Sequence, residues 1–539
     1  MQSPSPLNRR SVIVLCGLAV LWTVLVVQHS LHFGKLSFEP NFDDNTYLNE
    51  GYGRLARFHR EQDPGALLVG IARAHSPWMS LLATTAFALF GVHDWAPYLF
   101  NGIGIALWFC GLAYVLRPGG RLLLAAGLLW IVSSNLGYLA VSELRPDFFN
   151  GLAVATGAVL VFMAATREGR RSLSAARAGH LLIAASLFVK PTFFAGNLFV
   201  WGCVSGLVLL HDLLHRSPGA PETRRDRGLQ TVGWLLRTGW PALLLAALLL
   251  GHRAGYYIDY LVRNSFGEHA DIWRIEGGRG GALAYYTTGW GARWALGPSL
   301  LAPWLPIFAW AALAGVRRDG PALRMLGLLG GATGAALFVV VMGGQDSPFF
   351  GLTYLLLLLY TSAWAVGQLG AQMAFRWWRT GLAALLAISL FGNIRRHDTW
   401  AAERPSIAAK EDSLAQAMMA DLIAAQGAER TTVFLGFVGA INRDTLYWLA
   451  QTRRLPWTFY AHDREEPLAR YWERVAQADY VLTAEEGAPE LMTYLPTVRE
   501  HHAAFHEAML EHPDFELIAR YPTYAAGGYA LFARRPAAP

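Results

Sequence analysis

A chain of 539 residues that is 54% hydrophobic and 16% charged, with a mean hydropathy of +0.28, is too apolar for an ordinary soluble enzyme and belongs among polytopic membrane proteins. Its formal net charge of +6 does not call for nucleic acid, because arginine clusters between hydrophobic spans are what cytoplasmic loops carry. Cys16, Cys110 and Cys203 all lie inside apolar runs without metal-ligand spacing, which argues against a disulfide framework or a zinc site and leaves them as small core residues.

Arg9 and Arg10 precede an apolar run from Ser11 to Val27. The bulky residues that follow it give no small-residue cleavage pattern, so this run is expected to be a retained first span with a cytoplasmic N-terminus. The next polar stretch, Asn41-Phe42-Asp43-Asp44-Asn45-Thr46-Tyr47, then lies outside. Two adjacent carboxylates beside lipid are costly to bury unpaired and must face water, a cation or a polar substrate. Asp44 or Asn45 also reads as the N-cap of a helix from about Thr46 to His59. The amphipathic stretch Asn49 to Arg60 suits a helix lying in the interface. Pro77 to Phe90 is apolar but only about 14 residues long, which favours an interfacial or re-entrant segment over a crossing.

Spans are then expected at Trp95–Leu116, Leu122–Val141, Phe148–Ala165, His180–Val189, Phe193–Leu210, Thr231–Leu250, Leu296–Val316, Leu323–Met342, Phe349–Val366 and Gly381–Ile394. With the first, that makes about 11 crossings at roughly 20 residues each. This parity puts every strongly basic connection in the cytoplasm: Arg117 with Arg121; Arg167, Arg170, Arg171 and Arg177; Arg216, Arg224, Arg225 and Arg227; Arg317 with Arg318; and Arg376 with Arg379. It gathers the polar stretches at the outer face, namely the Asp43-Asp44 run, Ser142 to Asp147, Gly251 to Arg293, and Gly343 to Ser347 with Asp346.

Beyond residue 394 the composition becomes that of a soluble domain of about 140 residues. Thr432–Leu435, Tyr480–Thr483 and Tyr529–Phe532 read as strands, and Asp444–Gln451 and Leu468–Gln477 as helices. The expected architecture is therefore mainly α, polytopic, with interfacial helices on the outer face. Residues 1–394 form the membrane domain, and 395–539 form an α/β domain placed outside by the odd span count.

Four motifs in this order resemble the GT-C glycosyltransferases that use polyprenyl-phosphate sugars, especially the branch of protein O-mannosyltransferases, lipid A aminoarabinose transferases and rhizobial galacturonic acid transferases. Asp43-Asp44-Asn45-Thr46-Tyr47 is similar to the acidic pair and tyrosine of that group's first outer loop, with Asp44 where a glutamate is usual. His75-Ser76-Pro77-Trp78 resembles its His-Pro-Pro-like entry to a second interfacial helix, with Ser76 in place of the first proline. Arg145-Pro146-Asp147 resembles its second acidic turn, and Lys190-Pro191 the lysine that ends a short span. The resemblance implies a GT-C membrane fold, the catalytic aspartate at Asp43, and inverting transfer at the outer face of a bacterial inner membrane.

Transfer of a sugar from a lipid phosphate needs a base for the acceptor hydroxyl and a cationic setting for the leaving phosphate. Asp43 is the candidate base, with Asp44 beside it. Asp147 is a second carboxylate, to orient the acceptor or hold a metal, and it reads equally as the N-cap of the span from Phe148. Lys190 between apolar runs seeks an anion such as phosphate or snorkels to the interface. Arg263 is a further phosphate candidate, as are Arg274, Arg279 and Arg293 in the same loop, against the alternative of solvated charges. Tyr47, His75, Arg145, Tyr285 and Tyr286 are candidates for substrate contact, the two adjacent tyrosines also reading as interfacial anchors. No cofactor motif is present and a divalent cation is left open. The expected partners are a polyprenyl-phosphate-linked sugar donor, a glycan, lipid or protein acceptor and membrane lipid, with no nucleic acid. A lipid-linked glycan flippase or a non-catalytic assembly protein is the rival reading. The flippase wants paired halves and charges at mid-span, whereas the polar residues here cluster at one face.

Overall fold

The computed structural model describes residues 7–40, 43–71, 74–166, 172–215, 223–251, 253–265, 274–296, 303–345, 347–372, 413–426, 429–439, 441–461, 467–489, 491–492, 495–523 and 526–536. In chain order the first helices are α1 (Arg9–Phe33), α2 (Asp43–Glu61), α3 (Pro77–Phe90), α4 (Ala96–Leu99), α5 (Asn101–Leu116), α6 (Arg121–Ser133), α7 (Asn135–Ser142), α8 (Pro146–Ala165) and α9 (Leu173–Ser186). They are followed by α10 (Phe194–Leu214), α11 (Arg224–Gly251), α12 (Ala254–Ser265), α13 (Gly278–Thr287), α14 (Trp290–Leu296), α15 (Trp304–Val316), α16 (Gly320–Gly343) and α17 (Leu352–Gln372).

Among the described residues, seven helical stretches are long and apolar enough to cross a membrane: Arg9–Phe33, Ala96–Gly119, Pro146–Ala165, Pro191–Leu214, Arg224–Gly251, Gly320–Gly343 and Pro348–Ala371. Each coincides with an expected span. The run Leu122–Val141 is instead a broken pair, Arg121–Trp130 and Asn135–Ser142, bent by 63°. Ser134 sits at the break in extended conformation, its hydroxyl accepting from Gly137 N to start α7. Two expected spans are shorter than a crossing needs. His180–Val189 falls on α9, whose 14 residues reach only about 21 Å at ~1.5 Å each, and Leu296–Val316 on α15 with 13. The span Gly381–Ile394 lies outside the described residues, as do Asp346, Arg167, Arg170, Arg171, Arg216, Arg376 and Arg379. Pro77–Phe90 is one helix of 14 residues.

The chain divides into two compact units. One comprises Met1–Val26, Val69–Leu81 and Tyr98–Arg396, the other Val27–Leu68, Leu82–Pro97 and His397–Pro539. The division at 396/397 lies two residues from the sequence boundary at 394/395. The two early segments, expected to go with the membrane domain, are compact with the C-terminal residues: Asn45 and Glu39 of the first bond to Thr445 and Gln416, and Phe87 of the second stacks on Trp448.

In the first unit α8 and α17 lie at the centre. Their most apolar windows are 83% and 89% buried, against 28% for α1 and α11. Helices apolar on every side are the ones that a fold can bury completely. A Cβ on Gly151 would stand 2.9 Å from the backbone of Leu352 and Thr353, so glycine is what lets α8 and α17 meet backbone to backbone. Gly157 and Gly179 do the same for α8 and α9, each lying 2.6 Å from the other's carbonyl once a Cβ is added.

The second unit contains a five-stranded sheet, β1 (Thr432–Leu435), β2 (Thr458–Ala461), β3 (Tyr480–Ala484), β4 (Phe515–Tyr521) and β5 (Tyr529–Arg534), in the order β2-β1-β3-β5-β4. β1 pairs in parallel with β2 and β3, while β5 is antiparallel to β3 and β4. The helices of this part are α18 (Leu414–Gln426), α19 (Arg443–Thr452), α20 (Leu468–Val475) and α21 (Pro496–Leu510). The central strand β3 is buried along its whole length, Thr483 included, whose hydroxyl is hydrogen-bonded to His506. Phe434, Val481 and Phe532 pack there with Tyr471, Phe505 and Met509. The expected three strands and two helices are all present within two residues of their predicted ends. β2, β4, α18 and α21 carry weaker patterns and were not foreseen.

Candidate active site

Two groups of polar residues occur, one in each unit. In the first unit, both key turns are built by an X-Pro step, since the residue before proline is pushed out of the helical region. Arg145 takes φ −101 and ψ 110 as the cap of α8, and Pro146 and Asp147 fill its first turn. Asp147 is therefore not the cap, as the sequence had suggested. Its carboxylate lies where the helix dipole favours negative charge. Lys190, before Pro191, is extended at φ −157 and ψ 137. That conformation turns the chain after α9 and brings the Lys190 Nζ to 3.7 Å from Asp147 Oδ2. Both residues are buried, at 8% and 2% exposure. Among the described residues Asp147 Oδ2 has no hydrogen-bond partner, so this distant ammonium is the compensation seen for a buried charge.

The third motif joins the same place. Ser76 Oγ donates to the Val189 carbonyl at 2.6 Å, and Trp78 meets Phe149 edge-on at 5.8 Å. The serine that replaces a proline in the resembled pattern thus ties His75-Ser76-Pro77 to the turn carrying Lys190. His75 faces Tyr260, their rings 6.4 Å apart. The Arg145 guanidinium pairs with Glu143 at 2.7 Å and lies over Phe349 at 4.2 Å. Behind the pair, Asn197 Nδ2 donates to Asn150 Oδ1 at 2.6 Å and to Ser186 Oγ at 3.0 Å, while Asn150 Nδ2 donates to Thr353 Oγ1 at 3.1 Å. These buried amides lock α8, α9, α10 and α17 around the two turns.

Two residues of this group escaped the sequence reading. Arg253 is 7% exposed, with its Nη2 donating to the Ala74 carbonyl at 3.1 Å and its Nη1 to Tyr257 Oη at 3.2 Å. The signal was an arginine between an apolar run and a tyrosine pair. Glu143 was passed over as part of a turn. A mainly apolar cavity of about 180 Å³ is lined by Thr192, Phe193, Asn197, Tyr260, Tyr286 and Thr353 among others. Tyr286 is fully buried, and its hydroxyl donates to the carbonyls of Gln345 and Ser347. Tyr285 packs against it at 4.9 Å. Arg263 stands apart, 63% exposed and paired with Asp259 one helical turn away. Arg293 donates to the Thr288 carbonyl.

In the second unit the acidic run opens α2. The helix begins at Asp43, three residues before the expected start at Thr46, so neither Asp44 nor Asn45 is its cap. Asp43 and Asp44 fill the first turn, again where the dipole favours carboxylates. They differ in surroundings. Asp43 is partly exposed, whereas Asp44 is fully buried and accepts from Lys35 Nζ at 2.9 Å, the lysine being 7% exposed. Lys35 was missed, although a lone cation just beyond the first span was a legible sign. Tyr47 is fully buried with Leu48, Gly51 and Leu55 on the face of α2 that Asp44 shares. Among the described residues no group of three or more His, Cys, Asp or Glu side chains is arranged to hold a metal ion.

No family model and no curated protein matches the sequence. Solved structures do match in fold. ArnT from Cupriavidus metallidurans in the apo state superposes with a TM-score of 0.55 at 13% identity, over 95% of this chain and 97% of that one. The same protein bound to undecaprenyl phosphate gives 0.54 at 13% identity, over 97% and 98%. The arabinofuranosyltransferase AftD from Mycobacteria gives 0.53 at 14% identity, over 99% of this chain but 40% of that one. With the apolar helices, this likeness makes the chain a multi-pass membrane protein. It has the GT-C fold, the architecture that its four sequence motifs resemble.

Proposed function

We propose that the protein is an integral-membrane glycosyltransferase that moves a sugar from a polyprenyl phosphate donor to a glycan, lipid or protein acceptor at the outer face of the inner membrane, with inversion at the anomeric carbon. The observation that carries this reading is the meeting of three motifs far apart in sequence. Ser76 is tied to Val189, and Lys190 is brought to Asp147 at 3.7 Å. A buried ammonium at a turn that also carries a carboxylate can donate to a phosphate oxygen. Arg253 adds a second buried cation beside Ala74. The cavity, whose lining includes Thr192 two residues after Lys190 in sequence together with Asn197 and Thr353 of the buried amide network, offers apolar walls for isoprene units. ArnT, with the same fold, has been solved with undecaprenyl phosphate bound.

In the proposed reaction the acceptor hydroxyl oxygen forms a bond to the anomeric carbon as the bond from that carbon to the phosphate oxygen breaks. The hydroxyl proton passes to the Asp43 carboxylate, and polyprenyl phosphate leaves with both electrons of the broken bond. Asp43 fits the base because it is the partly exposed member of the pair, whereas Asp44 is committed to Lys35. The test begins with cells lacking the protein, whose unused donor and unmodified acceptor are extracted and identified by mass spectrometry. Purified Asp43→Asn protein is then assayed on those extracts. Loss of a general base lowers turnover by about 100-fold to 10,000-fold. Turnover near the parent rate, or a loss confined to Asp44→Asn, overturns the assignment.

A further inference from the structure

The first turn of α2 is held by a helix of the C-terminal domain about 400 positions later, and both lie in the second compact unit. Asn45 Nδ2 donates to Thr445 Oγ1 at 2.9 Å, and the single Thr445 hydroxyl proton is shared between the Pro40 carbonyl at 3.5 Å and Asn442 Oδ1 at 3.4 Å. One hydroxyl therefore ties the chain on both sides of Asp43 and Asp44. Both of its ties are buried, with Asn45 at 0% and Thr445 at 1% exposure. Three more bonds run along the same helix pair, one of them from Gln451 Nε2 to Asn49 Oδ1 at 3.4 Å. Asn49 Nδ2 donates to the Asp444 carbonyl at 2.9 Å, and Thr46 Oγ1 to Asp444 Oδ2 at 3.4 Å. Tyr52 meets Trp448 edge-on at 6.3 Å, and Gln416 on α18 donates to Glu39.

Thr445 is itself held in place. It is the third residue of α19 and part of a capping box in which Asn442 Oδ1 accepts from the backbone of Asp444 and Thr445. A capping box fixes the first turn of a helix by reciprocal bonds. The α/β domain thus presents a rigid hydroxyl to a run of six residues, Pro40 to Asn45, that carries both carboxylates.

We infer that Thr445 is a positioning residue for Asp43, so that the C-terminal domain acts in the transfer reaction by setting the place of the base. The inference rests on the proposed role of Asp43. Displacement of a reacting group by about 1 Å costs up to about 100-fold in rate. A side chain that fixes the base without touching substrate should therefore change kcat and leave donor KM alone.

The experiment uses full-length protein in detergent with the extracts from cells lacking it. Thr445→Val keeps the shape and removes the hydroxyl. Thr445→Ser keeps the hydroxyl. Asn45→Ala removes the tie from the α2 side and leaves the α19 capping box intact, so it reads the same contact if Thr445→Val folds poorly. We expect Thr445→Val and Asn45→Ala each to lower kcat about 10-fold to 100-fold with donor KM unchanged, the double variant to be no worse than the lower single, and Thr445→Ser to recover most of the rate. Amide exchange over residues 43–47 should speed up in Thr445→Val and Asn45→Ala alone. Faster exchange with an unchanged kcat overturns the positioning role, and unchanged exchange overturns the tie. If the parent transfers no sugar from the extracts, the functional reading fails, while the exchange data still decide whether Thr445 holds the acidic turn.

Discussion

Asp44→Asn probes the difference between the two adjacent carboxylates most directly. Lys35 Nζ and Asp44 Oδ2 are 2.9 Å apart, with 7% and 0% of their side chains exposed. Asparagine has nearly the same volume, so packing is kept and the ammonium of Lys35 is left buried against a neutral amide. Removing one partner of a buried pair costs about 3–5 kcal/mol, and the lost carboxylate in the first turn of α2 adds about 0.3–1 kcal/mol through the helix dipole. The expected destabilisation is therefore about 3–6 kcal/mol, read as the shift in a urea unfolding titration of the detergent-solubilised protein. Tryptophan fluorescence is a suitable signal, because Trp448 lies beside Tyr52 of α2. The double variant Lys35→Met with Asp44→Leu replaces both charges by apolar groups and should recover most of the loss. Asp43→Asn, at a partly exposed position in the same first turn, should shift the titration by no more than about 1 kcal/mol while abolishing most turnover. An Asp44→Asn protein that unfolds with the parent, or a double variant worse than Asp44→Asn, would show that the pair does not hold the turn.

Lys190→Met should raise the donor KM at least about 10-fold through loss of a charge-assisted bond to phosphate, and adding Asp147→Asn should restore stability but not transfer; recovery of both would make the pair structural. Gly157→Ala puts a Cβ 2.6 Å from the Gly179 carbonyl and should cost about 1–3 kcal/mol in thermal unfolding, whereas Gly206→Ala, with nothing within 4 Å, should be neutral or stabilising. The buried His506 ring, hydrogen-bonded to Thr483 at 2.7 Å, has its pKa held below the ordinary imidazole value by burial, partly offset by Glu485. Its contribution to stability is then fully present above about pH 6.5 and is lost as pH falls toward the depressed value. The unfolding midpoint of His506→Asn should vary less between pH 7.5 and 5.5 than that of the parent. A reporter active only in the cytoplasm, fused after Pro539, should be silent, and strong activity would reverse the proposed sidedness.

The sequence by itself determined the class of molecule and much of its local structure. Long apolar runs specify membrane-crossing helices because a backbone in lipid must satisfy its own hydrogen bonds, and seven of these runs read correctly from composition alone. The central strand of the α/β domain was legible from its short run rich in aromatic and β-branched residues, Tyr480 to Thr483. Proline marked both turns of the first group, since Arg145 and Lys190 are extended by the residue that follows each. Tertiary structure decided which of these local features belong together. The opening of α2 at Asp43 and the pairing of Asp44 with Lys35 were decided by the fold. The Ser76 tie to Val189 spans 113 positions and the Asn45 tie to Thr445 spans 400. Propensity and periodicity act over a few turns of chain, whereas a buried polar atom is satisfied by whichever partner the fold brings within hydrogen-bonding distance. The hydroxyl that ties the acidic turn was therefore visible only once the chain was folded, whereas the lysine that pairs with Asp44 stands close by in sequence.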